Sequence, residues 1–244
     1  MFNYKLEIQY KGTNYSGWQI QENAITVQQV ISESINTIVR EKINLIGSGR
    51  TDTGVHALGQ VANFRIGSEL DESKFLYSLN SILPDDISVK SLQKVNYDFH
   101  ARFSAIKRSY FYLISLSKSP FYYDYSYHVN WIDSQFVDEA NRKSKVITGN
   151  HDFTSFAKKN SDVNNHMCEI FNIHWKKSGE IVYFYIESNR FLHGMVRAIA
   201  GTIIDAIRLN KPDDCLIDIL NKKNRAEAGK AVPAKGLFLY RIKY

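Results

Sequence analysis

The stretch Leu192-His193-Gly194-Met195-Val196-Arg197-Ala198-Ile199-Ala200-Gly201-Thr202-Ile203-Ile204-Asp205-Ala206-Ile207 carries the plainest structural signal in the chain. Leu192, Met195, Val196, Ile199, Ala200, Ile203, Ile204 and Ile207 recur at the 3.6-residue period of a core-facing helix. His193, Arg197 and Gly201 fall on the other side. Upstream the period drops to two. Residues 169–177 and 181–188 read as paired strands joined at Ser178-Gly179, residues 134–145 suit a helix, and residues 107–116 form another strand. Downstream, residues 236–242 alternate as a closing strand. The first half repeats the rhythm. Tyr4, Leu6, Ile8 and Tyr10 share one strand face, opposite Lys5, Glu7 and Gln9. Thr26-x-x-Gln29 reads as a capping box, opening a helix with Val27, Val30, Ile31, Ile35 and Ile38 on one stripe. Ile43, Leu45 and Ile46 lead to a glycine-rich loop, followed by a strand at residues 58–66 with Leu58, Ala62, Phe64 and Ile66 on one face. A helix around Phe75, Leu76 and Leu79 ends near Pro84, and Ile87, Val89 and Leu92 suggest a further strand. Helices and strands in both halves give an α+β class with two subdomains, residues 1–103 and 104–244.

Bulk composition narrows the function classes. Of 244 residues, 44% are hydrophobic and 23% charged, as in ordinary soluble proteins. Lys and Arg outnumber Asp and Glu by 31 to 25, a formal charge of +6, which favours a polyanionic partner. Cys168 and Cys215 are the only cysteines, so a disulfide framework or zinc ribbon is not expected and a reducing, cytoplasmic setting is. Seven scattered His give no metal-ligand spacing. The most apolar long segment, residues 195–209, is broken by Arg197, Asp205 and Arg208 and cannot span a bilayer. The alternating N-terminus lacks the basic stretch and continuous apolar run expected of a signal peptide.

The chemistry concentrates in Gly47-Ser48-Gly49-Arg50-Thr51-Asp52-Thr53-Gly54. Glycines permit positive φ and close backbone approach, so a large ligand can reach the Asp52 carboxylate. Arg50 sets a cation two residues away, and His56 and Gln60 follow as hydrogen-bonding groups. The ordinary reading of such a turn is an Asp that caps an amide and an Arg in a surface ion pair. Neither nucleotide-binding glycine signature is met. Asp52-Thr53-Gly54 does match the aspartic-protease triplet, but that chemistry needs two carboxylates sharing a proton. One triplet would demand a homodimer, and the Arg50 cation opposes proton sharing.

Residues 47–61, continuing through Val55-His56-Ala57-Leu58-Gly59-Gln60-Val61, closely resemble the catalytic motif of the tRNA pseudouridine synthase A (TruA) family. Further blocks resemble that family in order: Tyr10-Lys11-Gly12-Thr13-Asn14-Tyr15-Ser16-Gly17-Trp18-Gln19, Phe99-His100-Ala101-Arg102-Phe103-Ser104-Ala105, Lys107-Arg108-Ser109-Tyr110-Phe111-Tyr112, His151-Asp152-Phe153-Thr154-Ser155-Phe156, Phe191-Leu192-His193-Gly194-Met195-Val196-Arg197 and Pro233-Ala234-Lys235-Gly236-Leu237-Phe238-Leu239. Lys11 departs from a frequent acidic residue and Thr53 from a small apolar one.

The resemblance implies two α/β, RNA-recognition-like subdomains joined in one extended mixed, mainly antiparallel sheet with a basic central cleft. It implies a homodimer that isomerises uridine to pseudouridine in the anticodon arm of tRNA, at positions 38, 39 and 40, without cofactor or metal. Asp52 is then the nucleophile, Tyr110 the aromatic that stacks on the target base and helps remove its C5 proton, and Arg197 a cation paired with Asp52. Leu237 packs near the base, while Arg50, His56 and Gln60 join it in substrate binding. Lys107-Arg108, Arg142-Lys143-x-Lys145, Lys158-Lys159 and Lys222-Lys223-x-Arg225 are candidate phosphate contacts. A solvated face is the plainer account of each cluster, and a non-catalytic RNA-binding protein is the alternative to an enzyme.

Overall fold

A computed structural model describes residues 1–158 and 165–244. In chain order the elements are β1 (Phe2–Tyr10), α1 (Val27–Val39), β2 (Ile46–Gly47), β3 (His56–Ile66), α2 (Glu72–Ile82), β4 (Ile87–Val95), β5 (Lys107–Ser115), β6 (Tyr127–His128), α3 (Phe136–Lys145), β7 (Gly149–Asp152), β8 (Met167–Ser178), β9 (Ile181–Ser188), α4 (Met195–Arg208), α5 (Cys215–Lys222) and β10 (Leu237–Lys243). The α+β class is as expected. The chain divides into two compact units, Met1–Ile106 with Phe238–Tyr244, and Lys107–Leu237. The last strand in the sequence therefore belongs with the first unit.

In the first unit the strand order is β4-β1-β3-β10. β1 pairs antiparallel with β3 and β4. On its other side β3 meets β2, antiparallel at Asn63 and Ala62, and β10, parallel at His56 and Ala57. That pairing explains why β3 starts at His56 rather than at Leu58, as its alternation suggests. Nearly every side chain of β3 is buried, on both faces, so the expected one-sided pattern of Leu58, Ala62, Phe64 and Ile66 is only half the strand. Tyr4, Leu6 and Ile8 of β1 are fully buried, as are Ile31 and Ile35 of α1 and Leu79 of α2. Thr26 caps α1 by accepting from the Gln29 amide at 3.4 Å. The reciprocal arm of the capping box is absent, because the Gln29 amide group turns to Glu33 instead.

In the second unit the order is β5-β9-β8-β7, all antiparallel, with β6 parallel to β5. α3 begins at Phe136, after the Asp133 carboxylate has accepted from the amides of Gln135 and Phe136. Its buried face sets Phe136 edge-on to Trp175 of β8, centroids 5.6 Å apart. α4 starts at Met195, behind Gly194 in the left-handed region (φ 74°). No helix among the described residues is long and apolar enough to cross a membrane.

Candidate active site

Asp52 sits on a loop that the N-terminal segment cradles from below. After β1, the chain bends through residues 11–19 and lays its backbone against residues 51–56. The Trp18 amide donates to the Thr51 carbonyl at 3.1 Å, and the Gly54 amide to the Tyr15 carbonyl at 3.4 Å. The hydroxyls of Tyr10 and Thr51 share a buried bond of 2.8 Å. Contact is so close at Gly17 (φ 86°) that an added Cβ would stand 2.4 Å from the Thr51 carbonyl oxygen. The cradle is itself anchored: the Tyr15 hydroxyl donates to the Asp86 carboxylate at 2.5 Å. Burial and that carboxylate push the Tyr15 phenol far above its usual range, so it stays a donor.

Within the loop, the Val55 amide closes a turn onto the Asp52 carbonyl at 3.1 Å. Gly54, with φ 77°, fills the third position of that turn, where a type II geometry needs positive φ. The turn holds Asp52 half-buried and Thr53 exposed. An exposed Thr53 explains why a departure from a small apolar residue is tolerated there.

His56 and Gln60, expected to touch substrate, lie beneath the loop instead. His56 is 1% exposed. Its Nδ1 accepts from the Gly12 amide at 3.0 Å, and its ring stacks on Phe238, centroids 4.7 Å apart. Gln60 is wholly buried; its Oε1 accepts from Ser48 Oγ at 2.7 Å and its Nε2 donates to the Gly49 carbonyl at 3.0 Å. Both side chains are buried and bonded to the backbone or side chains that shape the loop. Arg50 is exposed, and its Nε donates to Gln19 at 3.2 Å. Arg50 is thereby tied to the cradle.

The second unit carries Tyr110, Arg197 and Leu237. Tyr110 is buried to 8% exposure, opposite Ile186 of β9 and edge-on to Phe191 at 5.1 Å. Leu237 is buried at the start of β10. Arg197 is half-buried. Its Nε donates to the Val232 carbonyl at 2.7 Å, while the Val232 amide returns a bond to the Arg197 carbonyl at 3.2 Å. One turn on, the Lys230 carbonyl packs where a Gly201 side chain would stand. The sequence singled out residues 10–19 as a family-like block but not their packing against the Asp52 loop, and it gave no sign of the segment at residues 229–232. Many of their contacts are made by backbone groups, which leave no periodicity.

The sequence profile of the family described as tRNA pseudouridine synthase matches residues 7–104 and 144–244, spanning Asp52 and Arg197. The chain belongs to this family. Relatives at similar distance align end to end. Proteins called tRNA pseudouridine synthase A from Thermoanaerobacter sp. (strain X514) and Caldicellulosiruptor saccharolyticus are 39% and 41% identical over the full length of both chains. One of the same name from Bacteroides fragilis is 40% identical, covering 99% of this chain and 96% of its own.

Most members of the expected phosphate clusters of this synthase have partners within the chain, though among the described residues only Lys143 of these is buried. Lys107 pairs with Glu187 at 3.5 Å and lies over the Phe171 ring, and Arg108 donates to the Asn189 carbonyl at 2.9 Å. Lys143 is 3% exposed, bonded to the Lys211 carbonyl and to Asp213. Arg142 shares Asp213. Lys222 pairs with Glu227, Lys223 with Asp152, and Arg225 donates to the carbonyls of Ala228 and Gly229. Lys145 and Lys158 are exposed; Lys159 lies outside the described residues. Burial pushes the thiol of Cys168 up to about 11, so it is not a competing nucleophile.

Proposed function

We propose that this synthase converts uridine to pseudouridine in the anticodon arm of tRNA, at positions 38, 39 and 40, with Asp52 as nucleophile. The observation that carries the reading is the Asp52 loop: a carboxylate on a family-matched turn, presented half-buried by a cradle that fixes the backbone on both sides of it. The reaction breaks the bond between uracil N1 and ribose C1′ and forms one between C5 and C1′. The C5 proton leaves and N1 regains one, so atoms and charge balance without any change of oxidation state. A carboxylate can add to an electron-poor centre of the nucleotide or stabilise an oxocarbenium-like ribose while the base turns over. Tyr110 supplies a flat face for a base drawn out of its stack and helps remove the C5 proton. Arg197 is the cation that serves the Asp52 carboxylate, and Leu237 the apolar contact to the base. His56 and Gln60, buried and hydrogen-bonded under the loop, act on substrate through the loop they support, and Arg50 is the exposed polar group of that set. The working form is a cytoplasmic homodimer.

The test is pseudouridine mapping on unmodified tRNA, with sedimentation for the dimer. Asp52→Asn should lower turnover by a thousandfold or more, in the range of other lost nucleophiles (about 10³ at the least), while tRNA binding persists. Undiminished turnover in Asp52→Asn sinks the assignment. A wild-type protein that binds tRNA and modifies none of its uridines is a binding module instead.

A further inference from the structure

Tyr112 follows Tyr110 by two residues on β5, so the two share one face of the strand. Tyr112 is fully buried, and its hydroxyl donates to the Pro233 carbonyl at 2.9 Å. The residue before Pro233 is Val232, whose carbonyl accepts from Arg197 Nε. Residues 229–236 thus form a strap between α4 and β5. At the α4 end the Gly229 amide donates to Thr202 Oγ1 at 2.9 Å, and Val232 exchanges bonds with Arg197. At the β5 end the Tyr112 ring lies under Gly236, where an added Cβ would stand 2.6 Å from Cζ. Burial lifts the Tyr112 phenol far above its usual range, with the Arg197 cation pulling the other way. The hydroxyl is therefore a donor at any working pH, and it lies within the electrostatic reach of Arg197.

A guanidinium is planar, so fixing Nε sets the direction of both terminal nitrogens. The acceptor that fixes it here is a carbonyl on a strap, and the strap is only as still as its second anchor. We propose that Tyr112 is a positioning residue for the synthase reaction, holding the strap so that the Val232 carbonyl orients Arg197. The inference rests on the reading that Arg197 serves Asp52. Tyr112 itself has no contact with the base in this account; it acts through Arg197.

Tyr112→Phe keeps the ring and removes the anchor. Turnover and tRNA affinity are to be measured for this variant alone and in an Arg197→Lys background, where no planar Nε group remains to be held. The expected result is a fall in kcat of roughly tenfold, the factor set by one hydrogen bond of ordinary net strength, with unchanged tRNA affinity. In the Arg197→Lys background the effect should vanish. Gly236→Ala, which displaces the same ring from the other side, should repeat the pattern. An unchanged kcat in Tyr112→Phe beside an impaired Arg197→Lys overturns this inference alone. Equal losses in both backgrounds also overturn it, because a merely structural role predicts them. Full activity of Arg197→Lys removes the role that Tyr112 is said to serve, and both readings fall.

Discussion

His56 shows how far a residue's chemistry can be read before its partners are known. Its spacing from Asp52 put an imidazole four residues beyond the candidate carboxylate, at the start of β3. Its direction was set by Gly12, 44 positions away in sequence, and by Phe238 at the far end of the chain. Neither contact has a periodic signature. Replacing His56 with Leu keeps the volume but strands the Gly12 amide in a buried place, which costs about 1–3 kcal/mol. The expected outcome is a lower urea midpoint, and a fall in kcat as the cradle shifts, with little change in the affinity for tRNA. A selective loss of tRNA affinity at full stability would mean that the imidazole meets substrate after all. The turn that presents Asp52 was legible for the opposite reason. The glycines and the turn that expose it are local, and local chemistry is what a sequence displays.

Among the elements, α4 was the easiest to find and the easiest to misjudge. Its apolar stripe is all in the core, yet Gly201 and Thr202 on its flank are buried too. Residues 229–232 cover that flank, and they alternate at neither period. Gly201 decides the matter by experiment. Helix propensity alone says that Gly201→Ala should stabilise by about 1 kcal/mol. A Cβ there would lie 2.0 Å from the Lys230 carbonyl oxygen, and backbone oxygen cannot give way as a flexible side chain can. Overpacking of this kind costs about 1–3 kcal/mol, so the sign reverses. Chemical denaturation should show Gly201→Ala less stable than the wild type, with kcat reduced because the strap against Arg197 moves. A stabilised variant would mean that the strap yields freely.

For the molecule as a whole, a net charge of +6 suggested a basic surface built from four clusters. The ion pairs redistribute that expectation. Lys143 is the clearest case, since its ammonium is buried and already satisfied by the Lys211 carbonyl and Asp213. Charge counting cannot reveal this, because the acid that neutralises it lies 70 positions away. Lys143→Ala should therefore lower the unfolding midpoint, because the Lys211 carbonyl loses its buried donor. It should leave unchanged both tRNA affinity and the slope of log affinity against log salt. Lys145→Ala, on an exposed side chain of the same helix, should do the reverse and reduce that slope. Equal salt slopes for Lys143→Ala and Lys145→Ala would refute the division.

The place of β10 has a consequence for how the protein is made. Domains emerging from the ribosome commonly fold in order, the N-terminal one first. Here the first unit is begun first but cannot be finished first, because Phe238 and Leu239 supply the pairing partners of His56 and Ala57. Until β10 has been made, the floor under His56 stays open and the Asp52 loop lacks part of its support. A nascent chain thus cannot close its first unit until residues 238–244 have followed the whole of the second. A chain without those residues would be not a synthase with a ragged edge, but one whose oldest segment never closes.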